Sequence, residues 1–246
     1  MASPLLRNCT CLIVALFLTS DSRADEADAV KQIKKLGGSV IALGSENMVI
    51  LEGKKFTDSH MKLLFELKDM NSLRFNDTSV TDAGFKDVGR LKKLKDLRVM
   101  TTKITDAGVK ELRGLENLEQ LNLDRTEVMG KGLKELKQLK KLKDLCFNGP
   151  NVTDEAIKYV VELSNVRFLT LINSKVTDAG LKELRALKNL QRLSLDGTEV
   201  TDKGLVVFQN TKDFGKLDLL TLSNTKVTKA GLDALSKARG NKYIYH

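Results

Sequence analysis

The sequence predicts an α/β solenoid, a row of repeated strand–helix units, and three observations carry this prediction. Thr-Asp-Ala-Gly occurs at residues 81–84, 105–108 and 177–180, and degenerate copies begin at residues 57, 129, 153, 201 and 228. The copies are evenly spaced from residue 57 to residue 201, and only the last interval is slightly longer. Each unit joins a stretch with the two-residue period of a strand to one with helical spacing. A fixed period of this length indicates a repeat architecture.

Residues 1–24 have the pattern of a signal peptide. Arg7 precedes the apolar run of residues 11–18, and Ser22-Arg23-Ala24 offers small residues for a cleavage site. That run is far shorter than the roughly 20 residues that span a bilayer. We therefore expect a secreted or periplasmic protein that does not span a membrane. Removal of residues 1–24 leaves Cys146 as a single thiol, so no internal disulfide is expected, and an outward Cys146 could pair between molecules.

Residues 25–56 do not fit the repeat and predict an N-terminal cap. A helix is expected over residues 25–36, followed by strands over 38–43 and 47–51 that meet around Gly44-Ser45. An open solenoid needs a cap because its first unit would otherwise expose its core. Residues 57–246 then hold the repeats. Residues 242–246 lie one repeat after Leu220 and predict a capping strand, which gives a sheet of about nine strands.

The strand segment of each repeat alternates apolar and polar residues. Its frame is Leu-x-x-Leu-x-Leu, as at Leu190, Leu193 and Leu195. Alternation sends the leucines into the core and the intervening residues to the opposite face. The expected core leucines at the central position are Leu97, Leu121, Leu145, Leu169, Leu193 and Leu220.

The helical segment of each repeat begins at the Thr-Asp pair. Thr177 is a suitable N-cap, and Asp178 in the first turn interacts favourably with the helix dipole. We interpret the recurrent pair as capping, which is favoured over a ladder of metal-binding aspartates. The glycine that follows at positions such as Gly180 disfavours helix, so its recurrence predicts close approach between neighbouring units.

The frame L-x-x-L-x-L-x-x-T-x-V-T-D-x-G-L resembles the leucine-rich-repeat family, in the short-helix form common among exported bacterial proteins. The resemblance covers residues 46–246. It implies a right-handed horseshoe with a parallel β-sheet on its concave face and short helices on its convex face. The family's asparagine after the strand is replaced by hydroxyl residues here, and Pro150 interrupts this column, where we expect irregularity. The hydroxyl positions are Thr78, Thr102, Thr126, Ser174, Thr198 and Thr225.

Residues suited to catalysis or metal binding are scarce. The chain has two histidines, His60 and His246, and no Cys/His cluster or Gly-rich nucleotide loop. Asp96 and Asp144 share a face, but a strand carrying Gln120 separates them, so a solvated surface is favoured over paired-acid catalysis. We therefore predict that the protein is not an enzyme and uses no cofactor or metal.

The outward strand positions predict a partner-binding surface, because solenoids commonly bind partners on the concave face. Its C-terminal half combines aromatic and aliphatic side chains with an arginine, the composition of interaction hot spots. For the two tyrosines, covering the open end of the core is the alternative interpretation. Acidic residues of the other half would steer a ligand. The predicted partner-binding residues are Phe168, Ile172, Arg192, Leu219, Tyr243, Tyr245, Arg98 and Asp144.

A lysine-rich repeat offers a second kind of site. The net charge is +9, and one repeat carries Lys131, Lys134, Lys137, Lys140, Lys141 and Lys143. These lysines could bind an anionic envelope polymer, although leucines interleave with them as in a solvated helix face. The sequence thus favours a non-catalytic module that recognises a protein through its concave face. Electrostatic binding of an anionic polymer by the convex face is the alternative.

Overall fold

The computed structural model describes residues 24–43, 46–209, 212–239 and 244–245. The predicted signal peptide lies outside this part of the chain, except for Ala24, where helix α1 begins. Helix α1 spans residues 24–36. None of the described helices is long and apolar enough to cross a membrane.

The described strands form one ten-stranded sheet in chain order. β1 pairs with β2 antiparallel, and every later neighbour is parallel, so nine strands make the parallel sheet. The strands are β1 Ser39–Leu43, β2 Glu46–Glu52, β3 Ser72–Asn76, β4 Asp96–Met100, β5 Gln120–Asn122, β6 Asp144–Cys146, β7 Phe168–Thr170, β8 Arg192–Ser194, β9 Leu219–Thr221 and β10 Ile244–Tyr245.

Short helices return the chain between successive parallel strands. Some are α-helices, and others are single turns or longer stretches of 3-10 helix. The α-helices are α2 Asp82–Val88, α3 Asp106–Glu111, α4 Asp154–Val160, α5 Asp178–Glu183, α6 Asp202–Gln209 and α7 Lys229–Arg239. The 3-10 helices are Asp58–Glu66, Leu112–Gly114, Lys131–Leu136 and Leu184–Ala186.

The predicted strand register is confirmed. The six central leucines expected in the core, from Leu97 to Leu220, are at most 3% exposed. Arg98, Asn122, Thr170 and Ser194 stand next to them in sequence and are half-buried on the opposite face. A slip of one residue would have exchanged the two sets.

The N-terminal hairpin continues the parallel sheet of the repeats. Its two strands form as predicted, and β2 then pairs with β3 in parallel, with Met48 opposite Ser72. The offset between these two residues equals the repeat period. Ala29 and Ile33 of α1 are buried in the same core as the repeats, so the helix packs on that core.

A residue with positive φ ends the strand segment of most repeats. Asp77, Thr101, Arg125, Asn173 and Asn224 have φ between 52° and 56°. Glycines occupy the equivalent place elsewhere, including Gly149, with φ of 109°. The left-handed conformation turns the chain sharply from the sheet towards the helical side.

The hydroxyl column after the strands is buried except at Thr225, which is half-buried, and part of it bonds the loop backbone. The hydroxyls of Thr126 and Thr198 donate to the carbonyl oxygens of Leu123 and Leu195, at 2.9 and 2.6 Å. The hydroxyl oxygens of Thr78, Thr102 and Ser174 have no partner among the described residues. At the Pro150 interruption, the Asn151 amide reaches back to the Thr126 carbonyl oxygen at 3.1 Å.

The aspartate in the first turn of a helix bonds the threonine that begins the helix of the next repeat. The interpretation of the Thr-Asp pair as capping missed these contacts between repeats. Asp82 Oδ1 accepts the Thr105 backbone N–H at 2.9 Å, and Oδ2 accepts the Thr105 hydroxyl at 2.6 Å. We call this series the aspartate ladder. Its other two-bond rungs join Asp58 to Thr81, Asp154 to Thr177, Asp178 to Thr201 and Asp202 to Thr228.

The aspartate ladder also explains the recurring glycine. A Cβ at Gly108 would lie 2.5 Å from Asp82 Oδ1, and one at Gly84 would lie 2.6 Å from Asp58 Oδ1. The glycine of each repeat therefore makes room for the aspartate of the preceding repeat. The predicted close approach is confirmed, with a carboxylate as the approaching group.

The lysine-rich repeat alters the aspartate ladder on both of its sides. Asp106 of the preceding repeat accepts the backbone N–H groups of Met129, Gly130 and Gly132, without a threonine hydroxyl, and Gly130 supplies no carboxylate to the next repeat. Met129 and Gly130 replace the threonine and the aspartate, and Lys131–Leu136 forms a 3-10 helix without a side-chain N-cap. In the following repeat Ala156 takes the glycine position. A Cβ at Gly130 would lie 2.9 Å from that of Ala156. Here the glycine is at the aspartate position and the larger residue is at the glycine position, whereas in the other repeats an aspartate faces a glycine.

Candidate binding face

The register aligns the outward side chains in rows across the parallel strands. One row consists of the residues at the first position of strands β3–β9. The part of the row on the N-terminal strands is polar, and the part on the C-terminal strands is largely apolar. Neighbouring parallel strands lie about 4.8 Å apart, so consecutive members of a row can touch. The row consists of Ser72, Asp96, Gln120, Asp144, Phe168, Arg192 and Leu219.

The C-terminal part of this row forms a shallow pocket. Phe168 and Leu219 are half-buried, and Arg192 stands between them and is exposed. The Arg192 guanidinium lies over the Phe168 ring, 5.1 Å from its centroid. The pocket has a volume of about 360 Å³ and also includes Ser194 and Thr221 in its lining. We call Phe168, Arg192 and Leu219 the apolar row.

Arg192 is available to a partner. Its guanidinium has no carboxylate within 4 Å in the described ranges, and it lies against an aromatic face instead. Such stacking holds the planar group in place while its N–H groups remain free to donate. The apolar row therefore combines apolar contact area with a preorganised donor.

Asp144 borders the pocket on the polar side. Its Oδ1 atom is buried and accepts no hydrogen bond from the described residues. Burial raises the pKa of this carboxyl, and the nearby positive charges of Lys143 and Arg192 only partly oppose that shift. Asp144 thus offers an unused acceptor to an N–H or O–H donor of a ligand.

Three other predicted partner-binding residues lie towards the C-terminal end of the face: Ile172, Tyr243 and Tyr245. Ile172 is half-buried, and its backbone N–H donates to Asn148 Oδ1 at 2.8 Å. Tyr245 lies in β10, within the predicted capping strand, and its backbone pairs with Thr221 of β9. The side chain of Tyr245 and the whole of Tyr243 lie outside the described part of the chain, so their role in binding stays a prediction.

The N-terminal half of the face is polar at β3–β5, but an apolar patch lies beyond it. Ile41, Met48 and Ile50 of the hairpin are half-buried on the same face as Arg74. The hairpin strands were predicted as part of the cap, so their outward positions were not counted in the binding face. The offset between Met48 and Ser72, equal to one repeat period, is the signal that could have found them.

Arg98 is held by an ion pair within its own strand. Its Nε donates to Asp96 Oδ1 at 3.1 Å and to Oδ2 at 3.2 Å. The hydroxyl of Ser72 also donates to Asp96 Oδ2, at 3.0 Å. These bonds fix the direction of both charged side chains, and Arg98 remains about one third exposed.

Cys146 faces outward, as predicted, and is paired with Asn122 and Thr170 on the neighbouring strands, but its thiol is less open than expected. It is half-buried, and the Asn148 amide donates to its Sγ at 3.0 Å. Burial raises the pKa of the thiol, which reduces the thiolate fraction at neutral pH.

The lysine-rich convex surface is partly occupied by internal contacts. Lys141 Nζ donates to Asn117 Oδ1 at 2.7 Å, and Lys140 Nζ donates to the Lys137 carbonyl oxygen at 3.1 Å. Lys143 pairs with Glu119 at 3.6 Å. These contacts resemble those of a solvated helical side. The described residues contain no group of three or more His, Cys, Asp or Glu side chains that could hold a metal ion.

Comparisons with known proteins agree with this architecture. A family model described as a leucine-rich repeat region matches residues 28–237. An internalin (inlF) from Listeria monocytogenes has a similar structure, with a TM-score of 0.58 and 23% sequence identity over 81% of this chain and 60% of that protein. Internalin C2 from the same organism gives a TM-score of 0.56 and 19% identity over 86% of this chain and 89% of that protein. This chain therefore spans less than two thirds of the first internalin. Comparison with curated proteins gave no match.

Proposed function

The chain belongs to the leucine-rich-repeat family, and on that premise we propose that it is a non-catalytic module that binds a protein partner on its concave face. The observation that carries the proposal is the apolar row. Phe168, Arg192 and Leu219 stand on three adjacent strands and line one pocket, with the guanidinium stacked on the ring. Aromatic, aliphatic and arginine side chains in one pocket are typical of the residues that dominate protein–protein binding.

The rigidity of the strands supports this proposal. The apolar row is carried by short parallel strands whose inward leucines, Leu169, Leu193 and Leu220, are buried in the common core. Little of the surface would need to reorder when a partner binds, which lowers the entropic cost of association. Asp144 would orient the partner by accepting a hydrogen bond at the edge of the pocket, while Ile172, Tyr243 and Tyr245 would extend the contact.

We place the interaction outside the cytoplasm, in the cell envelope or medium, because residues 1–24 have the pattern of a signal peptide. The partner would then be an envelope or extracellular protein.

The proposal is tested by removing the apolar contacts without disturbing the core. The partner is first captured from the exported fraction, and its affinity for purified variants is then measured by calorimetry. Phe168→Ala with Leu219→Ala is expected to weaken binding by about 2 kcal/mol, which is roughly a thirtyfold increase in Kd. Both side chains are half-buried, so thermal unfolding must show that the variant remains folded at the assay temperature.

The matched control changes the convex side instead. Lys137→Glu with Lys141→Glu is expected to leave the affinity nearly unchanged and to retain the fold, since Lys137 and Lys141 are exposed. If the lysine pair abolishes binding and the apolar pair leaves it intact, the contact lies on the convex side. Steep loss of binding with added salt would then identify an anionic polymer as the ligand.

A further inference from the structure

We propose that a second pocket on the concave face, at β3–β5, binds a carboxylate group through Arg74 and Arg98. The pocket has a volume of about 280 Å³ and lies at the polar end of the sheet, separate from the apolar row. Its lining consists of Asn71, Ser72, Arg74, Lys95, Asp96, Arg98, Glu119 and Gln120.

Arg74 is the residue that points to a ligand. It is half-buried, and its Nε is buried without a hydrogen-bond partner in the described part of the chain. Its guanidinium also has no carboxylate within 4 Å among those residues. A buried donor left without an acceptor is costly, and an incoming oxygen atom would remove that cost.

Asp96, an acidic residue of the same pocket, does not pair with Arg74. Asp96 is one strand away and lines the same pocket, but its two oxygens accept bonds from Arg98 and Ser72. Both oxygens of the Asp96 carboxylate are thereby occupied, one by Arg98 and the other by Arg98 and Ser72. Arg74 is therefore left as a cation that faces the pocket without a bound counter-charge.

Arg98 complements Arg74 across one strand spacing. The two residues are in register on β3 and β4, about 4.8 Å apart at the backbone. Because Arg98 uses only its Nε for Asp96, the four N–H groups at its terminal nitrogens stay available. Two guanidinium groups side by side present the planar donors that a carboxylate accepts with both oxygens.

The charge of the pocket favours a carboxylate over a phosphate dianion. Arg74, Lys95 and Arg98 are positive, and Asp96 and Glu119 are negative, so the lining has one excess positive charge. Such a lining neutralises a single negative charge. A second negative charge would be repelled by Asp96 and Glu119.

The test uses the isolated protein and small anions, so its outcome is independent of whether a protein partner binds the apolar row. Arginine Nε–H resonances are followed by 15N NMR while sodium acetate replaces sodium chloride at constant ionic strength, and a parallel series uses inorganic phosphate. We expect the Arg74 and Arg98 resonances to shift with saturation in acetate, and phosphate to bind more weakly. In Arg74→Gln, acetate binding should be weakened at least about tenfold.

Two further variants separate binding from folding and from total charge. Arg74→Lys retains the charge but loses the planar donors, so it should also weaken acetate binding. Arg113→Gln removes an exposed charge on the convex side and should leave acetate binding unchanged. The proposal is overturned if the Arg74 resonance does not saturate with acetate, if Arg74→Gln binds acetate like the unaltered protein, or if phosphate binds more tightly.

Discussion

Replacing Gly108 with alanine is expected to destabilise the solenoid while Asp82 is present and to stabilise it once Asp82 is removed. The added Cβ would lie 2.5 Å from Asp82 Oδ1, which is too close for both atoms to keep their places. Moving the carboxylate breaks its two bonds to Thr105, at 2.9 and 2.6 Å. In an Asp82→Ala background no carboxylate remains to be displaced, and the added Cβ then needs only a small shift of the Ile104 Cγ2 methyl, which it would meet at 3.0 Å.

The magnitude follows from two opposing contributions. Alanine in place of glycine within a helix contributes about 0.5–1 kcal/mol of stability. Hydrogen bonds to a charged group contribute roughly 1.5–3 kcal/mol each when protected, and less here because Asp82 is only half-buried. We therefore expect Gly108→Ala to cost about 1–2 kcal/mol in the unaltered protein and to add about 0.5 kcal/mol in Asp82→Ala.

The measurement is a double-mutant cycle of urea unfolding followed by far-UV circular dichroism. The expected coupling between positions 82 and 108 is about 2 kcal/mol. Ala156 provides an internal precedent, since it occupies the same column after Gly130, where no aspartate precedes it. An equal cost of Gly108→Ala in both backgrounds would show that the aspartate does not require the glycine.

Two other residues give predictions that depend on titration. Burial raises the pKa of Asp144, so the folded state holds this proton more tightly and loses stability as pH rises through the usual range of the carboxyl. Asp144→Asn should therefore raise the urea midpoint at pH 7 but not at pH 3, and equal effects at both values would contradict this assignment. Cys146 should react with a thiol reagent at least about tenfold more slowly in the native protein than in urea, and its rate should rise with pH. Equal rates in both conditions would show that the thiol is open.

The architecture could be predicted because each repeat has the same alternation of apolar and polar residues in its strand and nearly the same capping residues at its helix. The alternation around Leu193 and the cap at Thr177 fix which residues turn inward and where each helix begins. The contacts between repeats could not be derived from one unit. Asp82 of α2 accepts hydrogen bonds from Thr105, the N-cap residue of α3 in the next repeat. The sequence of a single Thr-Asp pair does not reveal that its aspartate bonds the start of the following helix.

For the candidate site, the sequence predicted which residues share a row of the sheet, but not which side chains bond each other. Alternation put Phe168, Arg192 and Leu219 in one row, and the register confirms it. Alternation could not show that Arg98 is bound to Asp96 while Arg74 is not, because side-chain pairing depends on rotamers and burial. The apolar hairpin positions were missed because the strand was assigned to the cap.

The aspartate ladder has a consequence for how such a chain can change in length over generations. Each two-bond rung uses an aspartate from one repeat and a threonine and glycine from the next, so a tandem duplication of a period that carries all three residues recreates such a rung. The last full rung, from Asp202 to Thr228, spans a longer stretch of chain than the rung from Asp178 to Thr201 and keeps both bonds. Arg239 secures the longer connection by donating to the carbonyl oxygens of Phe208 and Phe214, at 3.1 and 2.7 Å. Extra residues are thus absorbed in the loop between the two repeats. A repeat that carries the aspartate, the threonine and the glycine can therefore be added without new kinds of contact between repeats.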